Sequence, residues 1–249
     1  MKIAVVTGAS SGLGREFAIQ VSRKYSKMDE IWIIARRKER LQELEAEIRM
    51  PVRLFSLDIA NKEDMDEFKA YLEETGPDIK MLVNCAGYGK IGRFDELDLD
   101  EQCGMIDVNC KGLTMFTGLC LPYISDHSRI INVASAAAFS PQPGFNVYAA
   151  TKAYVLSYSR ALNCELKSRK ITVTAVCPGP VDTEFFDIAG EKDDGSPKLK
   201  RADASKVVEK AIKDAALGNE LSVYGATMKL AAGASKILPH KLIMNIFKD

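Results

Sequence analysis

The chain has 249 residues, 47% of them hydrophobic and 27% charged, enough for a sizeable core and ordinary for a globular α/β protein. Its 34 basic and 34 acidic residues cancel, so the concentrated basic face that a phosphate backbone needs is missing and nucleic acid is not expected as a partner. Six cysteines without a C-x-x-C pair (Cys85, Cys103, Cys110, Cys120, Cys164, Cys177) and two histidines, His127 and His240, give little material for a metal site, a redox dithiol or a histidine triad. The cysteines are expected as buried reduced thiols, the histidines as solvated or capping residues, and no metal is expected.

Short β-branched runs alternate with amphipathic stretches, the pattern of βαβ units and a parallel sheet. Strands are expected near residues 2–7, 31–35, 52–57, 80–84, 129–134, 171–177 and 220–223. The first run leads straight into Thr7-Gly8-Ala9-Ser10-Ser11-Gly12-Leu13-Gly14, which leaves no room for a cleaved leader and makes a cytoplasmic location the expectation. A helix follows from Leu13 to Lys27, a charged one from Lys38 to Ile48, and a third after Asn61 as N-cap. Segments 99–124 and 147–169 are apolar around much of their circumference, so each is expected to bury a second face, in a homodimer or homotetramer ahead of cover by neighbouring elements of the same chain. Nothing reads as an interdomain linker, and residues 1–249 are taken as one domain with a lid near 184–201 and an amphipathic tail near 226–248.

A strand, a glycine turn and a helix start in succession make a cradle for pyrophosphate: glycines allow close backbone approach, and the helix N-terminus supplies free N–H groups and positive potential. An acidic residue about twenty positions on would bind the ribose of NAD. Here the second strand ends in Ala35-Arg36-Arg37 instead. Guanidinium groups suit the 2′-phosphate of NADP, so NADP(H) is the expected cofactor.

Tyr148-Ala149-Ala150-Thr151-Lys152 lies in a helical segment downstream of Ser135, and residues four apart share a helix face. A phenol with a pKa near 10 exchanges protons poorly at neutral pH. A cation about 4 Å away, at an effective dielectric of about 20, offers roughly 4 kcal/mol, or about three pKa units. Lys152 is therefore expected to acidify Tyr148.

Together these motifs resemble the short-chain dehydrogenase/reductase family over residues 1 to about 190. The blocks that carry the likeness are Thr7-Gly8-x-x-x-Gly12-x-Gly14, Asn84-Cys85-Ala86-Gly87, Ser135 with Tyr148 and Lys152, and Pro178-Gly179-Pro180-Val181-x-Thr183. The resemblance implies an α/β fold, a single Rossmann-type doubly wound parallel sheet of about seven strands with helices on both faces. It implies catalytic roles for Asn109, Ser135, Tyr148 and Lys152. Cofactor contacts are implied for Gly8, Ser10, Ser11, Gly12, Leu13, Gly14, Arg36, Arg37, Asp58 and Ile59. Asn84, Ala86, Gly87, Tyr148, Lys152, Pro178, Gly179, Val181 and Thr183 would complete that set. The family usually shows a second asparagine where this chain has Cys85.

On this reading hydride passes between NADP(H) and a carbonyl or secondary alcohol, with Tyr148 as acid, Ser135 holding the oxygen and Asn109 supporting a water relay. Each residue has a plainer reading too: Asn109 as a buried group satisfying a kinked helix, Asp58 as a turn residue, Thr183 as an N-cap. Phe139, Phe145, Phe185 and Phe186 are expected to face the substrate cleft, which suits a bulky apolar ketone or alcohol. The stretch 139–145 resembles the branch with hydroxysteroid and oxoacyl reductases. A small carbonyl or sugar substrate, or a non-catalytic NADP-binding redox sensor, are the alternatives. The basic, apolar tail is expected to pack on a neighbouring subunit or cover a lipid-like substrate, ahead of lying on a membrane surface.

Overall fold

The computed structural model describes residues 1–190 and 200–235. The loop expected within 191–199 and the tail beyond residue 235, with Pro239 and His240, lie outside the described residues.

Seven parallel strands form one sheet: β1 (Lys2–Thr7), β2 (Glu30–Ala35), β3 (Val52–Ser56), β4 (Asp78–Asn84), β5 (Ile124–Val133), β6 (Thr172–Val176) and β7 (Leu221–Ser222). Their order across the sheet is β3-β2-β1-β4-β5-β6-β7. The order reverses between β1 and β4, and a crevice opens at the strand C-termini there. Central strands are buried on both sides, so side chains alternate between two cores. Ala4, Val6, Ile31 and Ile33 face one; Ile3, Val5, Trp32 and Ile34 face the other.

The first core is closed by α1 (Gly12–Lys24), α2 (Lys38–Glu45) and α8 (Ala204–Ala216). On the opposite face lie α3 (Lys62–Thr75), α5 (Leu113–Cys120) and α6 (Asn146–Glu165), with α4 (Leu99–Ile106) packed against α6 through Met105. Asn61 caps α3 as expected, accepting from the Asp64 N–H at 2.9 Å. Phe68 of α3 stacks on Phe116 of α5 with ring centroids 4.9 Å apart. Burying one such ring contributes about 1.5–3 kcal/mol. Two further short helices, α7 (Phe185–Ala189) and α9 (Ala226–Ala234), stand over the strand ends.

Several expectations need correction. The segment 99–124 is interrupted: a π-helical turn, Asp107–Gly112, separates α4 from α5, and β5 already begins at Ile124. α8 has no counterpart in the sequence reading, although Asp203 caps it through the N–H groups of Ser205 and Lys206, and Val207, Val208, Ala211, Ile212 and Ala215 form its buried stripe. The preceding polar run hid that periodicity. The cysteines are not uniformly buried: Cys120 and Cys177 are, Cys85 and Cys110 are partly exposed, and Cys103 and Cys164 face solvent, because the latter pair fall on outward faces of α4 and α6. His127 is exposed, with φ at 64°. No helix among the described residues is long and apolar enough to cross a membrane.

Candidate active site

At the switch point the loops after β1 and β4 touch backbone to backbone. Gly8 has φ 69°, and a Cβ there would lie 2.7 Å from the Ala86 nitrogen; one on Gly14 would lie 2.2 Å from the Gly8 carbonyl oxygen. Only glycine fits either position. Thr7 fastens the two loops, its Oγ1 accepting from the N–H groups of Cys85 at 3.0 Å and Ala86 at 3.1 Å. Ser11, the N-cap of α1, makes no side-chain capping bond, and the first turn carries no acidic residue. That helix end therefore presents free donors and positive potential to a cleft of about 1270 Å³. The cradle fits a dinucleotide pyrophosphate.

The two arginines after β2 do different things. Arg36 is largely exposed and its Nη1 lies 3.5 Å from Asp58 Oδ2, with Ile59 lining the cleft beside them. Arg37 turns the other way, donating to Ser10 Oγ at 3.2 Å and also to Glu184 Oε1. That guanidinium, helped by Ser11, holds the Glu184 carboxyl below its usual range against a smaller opposing effect of burial.

Ser135 follows β5, and Tyr148 and Lys152 project from α6 into the same cleft. Ser135 Oγ accepts from the Ala137 N–H at 3.1 Å, which anchors the hydroxyl at the start of a 3-10 turn. The Tyr148 ring is stacked by Phe145 at 4.2 Å and flanked by Phe185 at 5.4 Å. Lys152 donates from Nζ to the Val133 carbonyl at 2.9 Å, and that nitrogen lies 5.6 Å from the centroid of the Tyr148 ring.

The expected acidification of Tyr148 by Lys152 is corrected by this environment. Burial pushes the phenol up to about 12, and the Ser135 hydroxyl opposes the rise. Burial also pulls Lys152 down to about 8. Desolvation is the largest influence on both groups, which are only 7% and 5% exposed, and the ammonium is turned to a backbone carbonyl. The partly exposed Cys85 borders the same space, and burial of its thiol raises it to about 12, so it holds its proton.

Two predicted residues do not face the cleft. Asn84 is buried in the sheet interior, donating to Thr117 Oγ1 at 2.9 Å and Asn132 Oδ1 at 2.8 Å, because its side chain falls on the α5 side of β4. Asn109 sits in the π-helical turn at 1% exposure. Its Oδ1 accepts from the Tyr88 N–H, and its Nδ2 donates to the Tyr88 carbonyl and Thr151 Oγ1. It clamps the loop after β4 to α6. The remaining predicted positions, Gly8 to Gly14 apart from Ala9, Ala86, Gly87, Pro178, Gly179, Val181 and Thr183 included, line the cleft.

Phe139, Phe145, Phe185 and Phe186 all line it as well. Above them α9 folds back: Met228, Ala231, Ala234 and Ser235 border the cleft, and the Met228 sulfur would lie 2.7 Å from a Cβ on Gly179. The sequence places the start of the amphipathic tail at this helix, as a subunit contact or a cover for a lipid-like substrate, without giving any one of its residues a place in the cleft. Glu184 falls at the start of the expected lid, but its contact with Arg37 has no local signature in the sequence.

A cradle of this shape at the reversal of strand order, opening onto buried Tyr148 and Lys152, places the protein among dinucleotide-binding oxidoreductases. Residues 2–194 match the short chain dehydrogenase family, and the chain belongs to it. An uncharacterized oxidoreductase of Staphylococcus epidermidis is 35% identical over 185 residues, covering 73% of this chain and 79% of the relative. A short-chain dehydrogenase from Sphingobium yanoikuyae, solved with NADPH, superposes with a TM-score of 0.81 at 25% identity, covering 100% of this chain and 97% of that one. The closed form of a serine dehydrogenase with NADP+ gives 0.78 at 31% identity, covering 89% and 94%.

Proposed function

We propose that the protein is an NADP(H)-dependent reductase of bulky apolar ketones, or the dehydrogenase of the matching alcohols. The observation that carries this reading is the convergence of Ser135, Tyr148 and Lys152 on a cleft whose far end holds the Ser10–Arg37 pair. When bound, the nicotinamide cofactor supplies the hydride. Ser10 and Arg37 would hold the 2′-phosphate, the α1 N-terminus the pyrophosphate, and Arg36 with Asp58 would flank the adenine.

Ser135 Oγ holds the substrate oxygen, and Tyr148 passes its phenolic proton to that oxygen as negative charge develops. The phenol is protonated throughout the neutral range and so can serve as the donor in reduction, although burial raises it and makes it a weaker acid until positive charge is brought beside it. Lys152, while charged, stabilises the phenolate left behind. Asn109 acts at one remove, fixing the loop of Gly87 and Tyr88 against the helix that bears both groups.

The apolar walls support a bulky substrate, of the hydroxysteroid or oxoacyl kind, since Phe139, Phe145, Phe185, Phe186 and Met228 surround the approach to Tyr148. The serine dehydrogenase likeness would suggest a small polar alcohol, which this lining disfavours. Exposed Leu99 and Ile106 on α4 and Tyr154 on α6 support a homo-oligomer packed through that face.

The test is Tyr148→Phe, assayed by NADPH oxidation against steroid ketones, oxoacyl thioesters, sugars and small diketones. Turnover on the preferred substrate should fall about 10²–10⁴-fold while NADPH still binds. Retained turnover would remove the acid from the scheme.

A further inference from the structure

The guanidinium of Arg37 joins three segments that are distant in the chain. It leaves the loop after β2, donates to Ser10 in the glycine turn, and donates to Glu184 at the start of α7. The same Nη2 serves both acceptors. The second arginine is committed elsewhere, against Asp58. Arg37 is thus the cation aimed at the glycine turn, and it already carries a carboxylate partner.

Glu184 is also tied to the chemistry. The next residue, Phe185, flanks the Tyr148 ring, and the helix it opens ends at Ala189, whose carbonyl accepts from the Ile91 N–H at 2.9 Å. Glu184 thus stands one residue from a ring that flanks Tyr148.

Resting on the reading of the cofactor as NADP(H), we propose that Glu184 is a specificity-determining residue that opposes the 2′-phosphate. Its carboxylate competes with that phosphate for Arg37, so a dinucleotide carrying the phosphate must break the Arg37–Glu184 pair and one lacking it need not. Carboxylate and phosphate are both anionic, and crowding them around one guanidinium costs Coulomb energy that only the phosphorylated cofactor meets. The pair is partly exposed, with side-chain exposures of 42% and 33%, so solvent screens it and the expected effect is moderate.

The experiment measures equilibrium binding of NADPH and NADH to the full chain by nicotinamide fluorescence, in wild type, Glu184→Gln, Arg37→Met and the double variant. Glu184→Gln should tighten NADPH about fivefold and change NADH by less than about twofold. In the Arg37→Met background the same substitution should leave NADPH unchanged, since the competition acts through that guanidinium. Weaker or unchanged NADPH binding in Glu184→Gln, or an equal gain for NADH, overturns the proposal. Thermal shift with adenosine 2′,5′-bisphosphate against AMP gives a second readout, in which Glu184→Gln should enhance only the bisphosphate response; an equal response to both overturns it. If wild type binds neither dinucleotide, the cofactor reading itself falls, and that outcome is distinct from normal binding with no effect of Glu184.

Discussion

The Nζ of Lys152 donates to the carbonyl oxygen of Val133 at 2.9 Å, fastening the ammonium on α6 to the last residue of β5. The bond satisfies one of three donors, and the charge remains in a pocket that opposes it. Folded Lys152 loses its proton near pH 8, against 10.5 for an unperturbed lysine.

Between those two values the unfolded chain binds more protons than the folded one, so stability rises with pH across that window. Below pH 8 the full cost of burying the cation is present. Lys152→Met is therefore expected to be more stable than wild type at pH 7, by up to about 3 kcal/mol at 1.36 kcal/mol per pKa unit, and to lose that advantage as pH approaches 10.5. Urea denaturation at pH 7 and pH 10 measures the difference. A variant less stable than wild type at pH 7 would show that the lysine is held more favourably than its surroundings indicate.

Turnover should follow the same titration. Ketone reduction is expected to be level below about pH 8 and to fall above it as Lys152 becomes neutral, because Tyr148 then leaves an uncompensated phenolate. The kcat/KM profile of wild type against Lys152→Arg checks this. Arginine keeps its charge, so a descending limb at the same pH in both proteins would assign the limb to another group.

Arg36 and Arg37 should separate in cofactor choice. Arg37→Asp is expected to shift preference from NADPH toward NADH by about tenfold or more, and Arg36→Asp by less, since only Arg37 converges with Ser10. Ratios of kcat/KM for the two cofactors decide it, and equal shifts would make the two cations interchangeable.

Gly8 and Gly144 form a controlled pair. Both have positive φ, 69° and 71°, but an added Cβ meets the Ala86 backbone at Gly8 and nothing within 4 Å at Gly144. Gly144→Ala should lose only the left-handed strain of about 1–2 kcal/mol. Gly8→Ala should lose more and also bind cofactor poorly, as read by denaturation and NADPH fluorescence.

Much of this organisation is legible in one dimension. All seven strands stand at the expected places, with ends differing by a few residues, because buried parallel strands read as apolar runs. The interrupted 99–124 segment is not legible: a π-helical turn inserts a register change without altering the apolar pattern around it. Asn84 shows the complementary failure. Position in a motif places it after β4, yet strand alternation aims its amide inward to Asn132, and which neighbour it meets depends on β5, 48 residues away.

Local chemistry in the chain determined the βα alternation, the glycine turn and the helical spacing of Tyr148 and Lys152, since each depends on backbone freedom or periodicity within a few residues. Tertiary structure alone decided that Arg37 meets Glu184, that α9 returns over Gly179, and that burial raises the phenol while lowering the lysine. These are consequences of contact between distant segments and of the exclusion of water, and desolvation belongs to the packed site as a whole.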